Sequence, residues 1–283
     1  MSLNSINTNI NAAIALQSLN ATSAQLATTQ KAISTGFRVA DATDDGAAFA
    51  VAQRVRSDVG ALTSANQQMG NVKGLVSTTL TGLTSVSNTL KEAREVLVKL
   101  ADSNTQGDQR DQYAAQYASL LSNVKTFIQD AGYNNKSLIG DIAGGNGTFG
   151  SVAVIRNEVG ATYGIATFGG SAFFASVNFT STALGSATSV QALITAAGTF
   201  LNALSSLGTQ LNAYGSASNY VDNQISYNND KIDSLNGGLG SLIDADLAKE
   251  SAKLQSLQIR QQLGTQALSI ANQAPQSLLS LFK

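Results

Sequence analysis

The chain has 283 residues and a formal net charge of −1, with no His, Cys or Trp, a single Pro, and 12% charged against 43% hydrophobic residues. The hydrophobic share can fill a sizeable core and excludes disorder by low hydrophobicity. Without Cys or His there are no thiol nucleophiles, disulfides or Cys- or His-ligated metals, and the balanced charge argues against a nucleic-acid or anionic-membrane footprint.

The first segment is defined by missing charge. No ionisable side chain occurs from Met1 to Gln30, and Lys31 is the first. A secretory signal would need a basic start and a continuous apolar run, and a membrane helix about 18 apolar residues in a row; neither is present. Instead Ala12, Leu19, Leu26 and Ile33 recur every seven residues, with Ile6, Ile10, Ala13 and Leu16 widening the apolar side. That spacing predicts a helix. Asp41, Thr43 and Asp44 follow as N-cap candidates for the next helix. The run from Asp41 to Gly46 superficially resembles a calcium loop, but its twelfth position is Ala52, where a bidentate Glu is required.

The second helix, over about 44–102, has a strict heptad row of Val55, Leu62, Met69, Val76, Leu83, Leu90 and Leu97. A companion row three residues later is mostly apolar, the mark of a coiled coil. As one helix this stretch would run roughly 88 Å, against a radius of gyration of about 19 Å for a compact domain of this length, which predicts a rod. Gly60, Gly70, Gly74 and Gly82 interrupt it. For most of them, marginal stability relieved by neighbours is the preferred explanation over close helix contact.

A shorter third helix carries Tyr113, Leu120 and Phe127 in one row and Tyr117, Val124 and Ala131 in the other, with Asp108 as N-cap and Gly132 as stop. Residues 139–190 are Gly-rich, and β-rich runs are expected at Ser151–Ile155, Thr162–Phe168 and Ala172–Phe179. They form one or two hairpins, either packed on the rod or making a small outer domain. The fourth helix has one row of Ala197, Leu204, Leu211, Ser218, Ile225, Ile232 and Leu239. Its other row is Phe200, Leu207, Tyr214, Val221, Asn228, Leu235 and Leu242.

The last helix ends in a charge-free run, Gln261 to Phe282. Leu254, Leu257, Leu268, Ala271, Leu278 and Phe282 fall on one seam, and Ile259, Leu263, Ile270, Ala274 and Leu281 make a second apolar stripe. An uncharged helix with two apolar faces is expected to be surrounded by other protein, although a core hairpin within one monomer would also use such a pattern.

The expected fold is therefore mainly α: an elongated antiparallel coiled-coil or helical-bundle rod formed by the N- and C-terminal segments, with a small central β-hairpin region. Terminal helices occupy 1–43 and 242–283, the rod 44–138 and 191–241, and a short β-rich outer segment 139–190. The rod core is assigned to Leu62, Val76, Leu83, Leu90, Leu97, Leu204, Leu211, Ile225 and Ile232. Nothing reads as catalytic, no phosphate-cradling glycine motif occurs, and no cofactor is expected. Arg54, Arg56 and Arg94 lie among acidic residues on a helix rather than in a basic patch.

The segments Ser5-Ile6-Asn7-Thr8-Asn9, Ser34-Thr35-Gly36-Phe37-Arg38-Val39 and Asp44-Asp45-Gly46-Ala47-Ala48 resemble the N-terminal signature of bacterial flagellins. Asp244-Ala245-Asp246, Gln258-Ile259-Arg260-Gln261-Gln262 and Ala271-Asn272-Gln273-Ala274-Pro275-Gln276 resemble its C-terminal counterpart. The likeness covers roughly 1–138 and 191–283. It implies a homopolymer: a helical filament subunit for swimming motility, with the terminal helices lining the filament core. It also implies the flagellar export apparatus, an export chaperone, and cap and junction proteins as partners, with no nucleic acid and no membrane, and a secreted, extracellular location. The terminal helices of the free family monomer are disordered. On this reading Ile6, Ile10, Leu19, Leu26 and Ile33 of the first helix and Leu257, Leu263, Ile270, Leu278 and Leu281 of the last serve self-assembly, and Gly36 begins a hinge.

In some members an innate immune receptor reads part of the second helix. Arg94 and Glu95 fit that pattern while Glu92 stands where recognised members have Arg, so recognition is not carried over. Ser171, Ser176 and Thr180 are candidate O-glycosylation positions. A hook–filament junction protein is the alternative within the flagellum. A soluble coiled-coil signalling module would be the alternative outside it, but its helix ends should be charged.

Overall fold

The structure, a computed structural model, describes residues 9–195 and 197–281, with 274–281 by backbone alone. Ile6 lies outside the described residues, and the side chains of Leu278 and Leu281 lie outside them too. The elements, in order, are α1 (Ile10–Thr35), α2 (Gly46–Leu100), α3 (Gly107–Asp130), β1 (Gly132–Tyr133), β2 (Lys136–Ser137), β3 (Thr148–Phe149), β4 (Val152–Ile155), β5 (Thr162–Ile165), α4 (Gly170–Val177), α5 (Ser181–Leu184), α6 (Ala187–Ile194), α7 (Thr199–Ile243) and α8 (Leu247–Leu281). The fold is mainly α with a small sheet region in the middle. The described chain forms two compact units, one from residues up to 58 together with those from 233 onward, the other from 59–232.

In the unit from 59–232, the α2 heptad row supplies the core. Leu62, Met69, Val76, Leu83, Leu90 and Leu97 are all essentially inaccessible, and Val72, Thr79, Val86, Ala93 and Leu100 of the companion row are buried beside them. Two of the helix glycines are explained by packing. A Cβ on Gly82 would sit 2.8 Å from the Cβ of Ala131, and one on Gly74 would meet the Tyr133 ring at 2.7 Å. Gly60 and Gly70 face open space, so close contact accounts for no more than two of the four.

On α7 the more deeply buried row is the second one. Phe200, Leu207, Tyr214, Val221 and Asn228 are buried, whereas Leu204, Leu211, Ile225 and Ile232 are half-buried at the margin. Both rows are apolar, so periodicity alone could not rank them; the aromatic rings of the second row reach deepest. A window within 187–243 is long and apolar enough to cross a membrane. Within that range Phe200, Ala203 and Leu207 are buried in this core.

The ends of α3 differ from expectation. Gln106 occupies the cap position without a side-chain hydrogen bond, and Asp108 lies inside the first turn, where a carboxylate still favours the positive helix end. Gly132 starts β1 rather than merely stopping the helix. β1 pairs antiparallel with β2 through Asn134 and Asn135, both with positive φ (47° and 59°), the two-residue turn whose twist suits a hairpin. β3 pairs parallel with β2, and β4 pairs antiparallel with β5 from Val152–Ile165 to Ile155–Thr162.

The run expected as a third β segment, 172–179, is helix α4 over most of its length. Phe173 and Val177, four residues apart, share its buried face, which is a helical spacing rather than a strand one. Gly170 opens that helix at a point where a Cβ would lie 2.0 Å from the Ile139 carbonyl oxygen. The corner after α2 is closed by Arg110. Its guanidinium donates to the carbonyls of Leu100, Thr105 and Leu184 at 2.7, 3.0 and 2.7 Å.

Candidate assembly surface

The unit formed by the chain's ends is built on two helices, α1 and α8, which lie antiparallel. α1 begins at Asn9, whose side-chain oxygen accepts from the Ala12 N–H at 3.0 Å. The Asn9 amide donates across to the Ala271 carbonyl at 2.7 Å. Further along, a Cβ on Gly264 would meet Leu19 at 3.2 Å, and the Gln261 amide reaches Ser23 at 3.5 Å.

The residues expected to serve self-assembly divide into two groups. Leu19, Leu26 and Ile33 are half-buried and Leu257 is buried, on the helix faces turned toward the pairing. Ile10, Leu263 and Ile270 are 47%, 57% and 68% exposed, and Ile259 beside them is 59% exposed. Ile259, Leu263 and Ile270 are four and seven residues apart and share one stripe of α8, while Ile10 and Ile14 share a face of α1 opposite the Leu19 row. Ile14, 60% exposed, belongs to neither row read from the sequence and was missed for that reason. Among the described residues of the two helices, only Thr29, Ala32 and Leu257 are buried.

The two signature segments meet at the base of this pair. α1 ends at Gly36, left-handed at φ 75°, whose N–H bonds the Ala32 carbonyl. Phe37 then bridges antiparallel to Asp244, the Ala245 N–H donates to the Gly36 carbonyl, and the N–H groups of Arg38 and Val39 donate to Ile243. The Arg38 guanidinium adds a bond to the Leu242 carbonyl. A separate small core of Val39, Ala48, Ala52 and Ile243 lies beneath, with Phe37 half-buried against it and the Arg56 guanidinium 5.5 Å from its ring centroid.

The N-cap of α2 is Asp45, which accepts from the N–H groups of Ala47 and Ala48 at 3.1 and 3.0 Å. Asp41 and Asp44, expected in that role, pair instead with Lys31. Its ammonium lies 2.6 Å from Asp41 and 2.8 Å from Asp44. Hydrogen bonds from Lys31, helped by Thr43 at Asp41 and by the Ala40 N–H at Asp44, hold both carboxyls below their usual range, and the same bonds raise Lys31. The sequence held no signal for this, because the first charge of the chain and its partners are ten or more residues apart.

Among the described residues no group of three or more acidic, His or Cys side chains could hold a metal ion. The three candidate glycosylation residues differ in freedom. Ser171 is exposed, whereas the Ser176 hydroxyl donates to the Phe173 carbonyl and that of Thr180 accepts from the Ala183 N–H.

The bacterial flagellin N-terminal helical region matches the chain over residues 6–143, and the bacterial flagellin C-terminal helical region over 194–282. Flagellin FljM of Caulobacter vibrioides is 35% identical, with all of both chains covered. A flagellin of Brucella melitensis biotype 1 is 33% identical over 99% of each chain. In fold, the chain is similar to a flagellar hook-associated protein from Vibrio parahaemolyticus, with a TM-score of 0.54 at 15% identity over 71% of this chain and all of that one.

Proposed function

Because the chain belongs to the bacterial flagellin family and is a structural subunit of the flagellar filament, we propose that it joins the filament through the outward stripes of α1 and α8. The observation that carries this is the exposed stripe Ile259, Leu263 and Ile270, with Ile10 and Ile14 on the partner helix. Fully burying an exposed Leu or Ile is worth about 1.5–3 kcal/mol, and these side chains keep roughly half to two thirds of that area in water, so the stripe favours a second copy of the chain over solvent. Head-to-tail contacts that do not close into a ring grow a helical polymer.

On this reading Leu19, Leu26, Ile33 and Leu257 hold the α1–α8 pair together within one subunit, and the exposed residues join neighbours. Gly36, the left-handed break between α1 and the Phe37–Asp244 bridge, is the hinge about which the pair settles during assembly. The subunit reaches its site through the flagellar export apparatus with an export chaperone. It is placed at the growing tip beneath cap proteins, beyond the junction proteins, and works outside the cell. The charge-free sequence runs of 30 and 22 residues at the two ends support burial of α1 and α8 between copies, since uncharged faces gain little from remaining in solvent.

The test is elongation from fragments of parent filament. Leu263→Glu and Ile270→Glu are expected to slow elongation more than ten-fold with unchanged helical circular dichroism, because a carboxylate would have to be buried between copies. Elongation at the parent rate by both variants would overturn the assignment. Leu263→Met should elongate normally.

A further inference from the structure

The buried α7 row is apolar from Phe200 to Val221 and is then broken by Asn228, which is fully buried. Its side-chain amide donates to the Asn66 oxygen of α2 at 2.9 Å and to the Arg156 carbonyl at the end of β4 at 3.0 Å. Its own oxygen accepts from the Gln224 amide at 3.0 Å, and Asn66 in turn donates to Asn229 at 2.8 Å. One buried amide thus ties together α2, α7 and the loop that joins β4 to β5.

A leucine at this place would continue the row and fill a similar volume without any polar group to satisfy. Buried polar groups hydrogen-bonded in this way contribute little net stability against an apolar replacement, and their best-attested use is to fix one arrangement over others. The choice among arrangements here concerns the hairpin. Val154 and Ile165 seat it on the core, and the Tyr163 ring stacks on Tyr220 with centroids 3.9 Å apart. These contacts are apolar and tolerant of sliding. Directional grips on its loop include the Asn228–Arg156 bond and the ion pair of Glu158 with Lys231 at 2.5 Å.

We propose that Asn228, with Asn66, is a positioning residue: a buried amide clamp that fixes the seat of the β4–β5 loop against α2 and α7 at the expense of core stability. The clamp holds the Arg156 carbonyl, and with it the Arg156–Ala161 closure of the loop, where the Arg156 N–H meets the Ala161 carbonyl at 2.8 Å.

The experiment measures thermal unfolding and site-resolved amide hydrogen exchange on the full chain. It compares the parent, Asn228→Leu, and the double variant Asn66→Leu/Asn228→Leu, which leaves no asparagine orphaned inside the core should the single variant fold poorly; Asn229, which loses Asn66, is exposed. The expected result in the double variant is an unfolding midpoint equal to or above the parent's. Exchange at Arg156 and Ala161 should be at least ten-fold faster, while Leu83 and Leu90 in the core keep parental protection. A lower midpoint with loop exchange unchanged would make the cluster an ordinary stabilising contact and overturn the proposal. So would unchanged exchange at any midpoint.

Discussion

At the residue scale, the four glycines of α2 separate what a small side chain can mean. Gly60 has no atom within 4 Å of a would-be Cβ, while at Gly82 that Cβ would lie 2.8 Å from Ala131 and 3.3 Å from the Phe127 carbonyl. In a helix interior glycine costs about 0.5–1 kcal/mol relative to alanine. Gly60→Ala is therefore expected to stabilise the monomer by about that much in chemical denaturation. Gly82→Ala should do the reverse, because α2 and α3 would have to separate for a contact with backbone on one side. Equal effects at both positions would mean that the close approach at Gly82 is not tight. Tyrosines show the same dependence on surroundings. Burial raises both Tyr117 and Tyr214, the latter to about 12, and each hydroxyl finds a carbonyl, Val177 and Ala166 respectively. Two polar tips are thereby placed in the core without an unmet hydrogen bond.

At the scale of elements, the joint between α1 and α2 depends on a charge cluster that can be titrated. Asp41 and Asp44 are held below their ordinary values, chiefly by hydrogen bonds from Lys31. A carboxyl depressed in the folded state contributes fully above its unfolded value of about 3.9 and loses that contribution as pH falls through and below it. Lys31 is raised, so its contribution persists until pH exceeds the ordinary lysine value of about 10.4 and is lost above that. Carboxyl-carbon NMR titration should find both aspartates low in the parent and both moved upward in Lys31→Met; unshifted aspartates in the parent would refute the pairing. How much of this was legible depends on the range of the signal. The α2 row is repeated seven times in sequence, and the core uses it from Leu62 onward, leaving Val55 half-buried. α7 offers two apolar rows, and only the tertiary arrangement makes Phe200, Leu207 and Tyr214 the deeper set. The α4 run reads as strand because aromatic residues suit either state, and eight residues are too few for period to decide. At the chain's ends, the second apolar stripe of α8 was visible because both faces of an uncharged helix are apolar. The Lys31 cluster and the Phe37–Asp244 bridge were not, since they join residues whose nearness only the fold creates.

At the scale of the whole molecule, stability is unevenly distributed, and the distribution follows burial. The unit from 59–232 encloses a continuous apolar core from Met69 to Val221, whereas the described parts of α1 and α8 bury only Thr29, Ala32 and Leu257. Local opening is governed by such differences: an element with few buried contacts opens at a small fraction of the global unfolding free energy. Free α1 and α8 should therefore open often, and brief digestion of the monomer with a protease of broad specificity should cut within 10–35 and 247–281 first. A fragment near 45–240 is expected to resist, because it keeps the α2, α3 and α7 core and the hairpins seated on it. Mass spectrometry of the early products reads the outcome. First cuts in the Gly-rich stretch 139–150, with α1 and α8 intact, would show that the paired ends are the firmer part. The same digestion applied to filaments should spare both ends, since the stripes of Ile10 and Ile14 and of Ile259, Leu263 and Ile270 would then be covered by neighbouring copies. Equal trimming of monomer and filament would place the inter-subunit contact elsewhere on the chain.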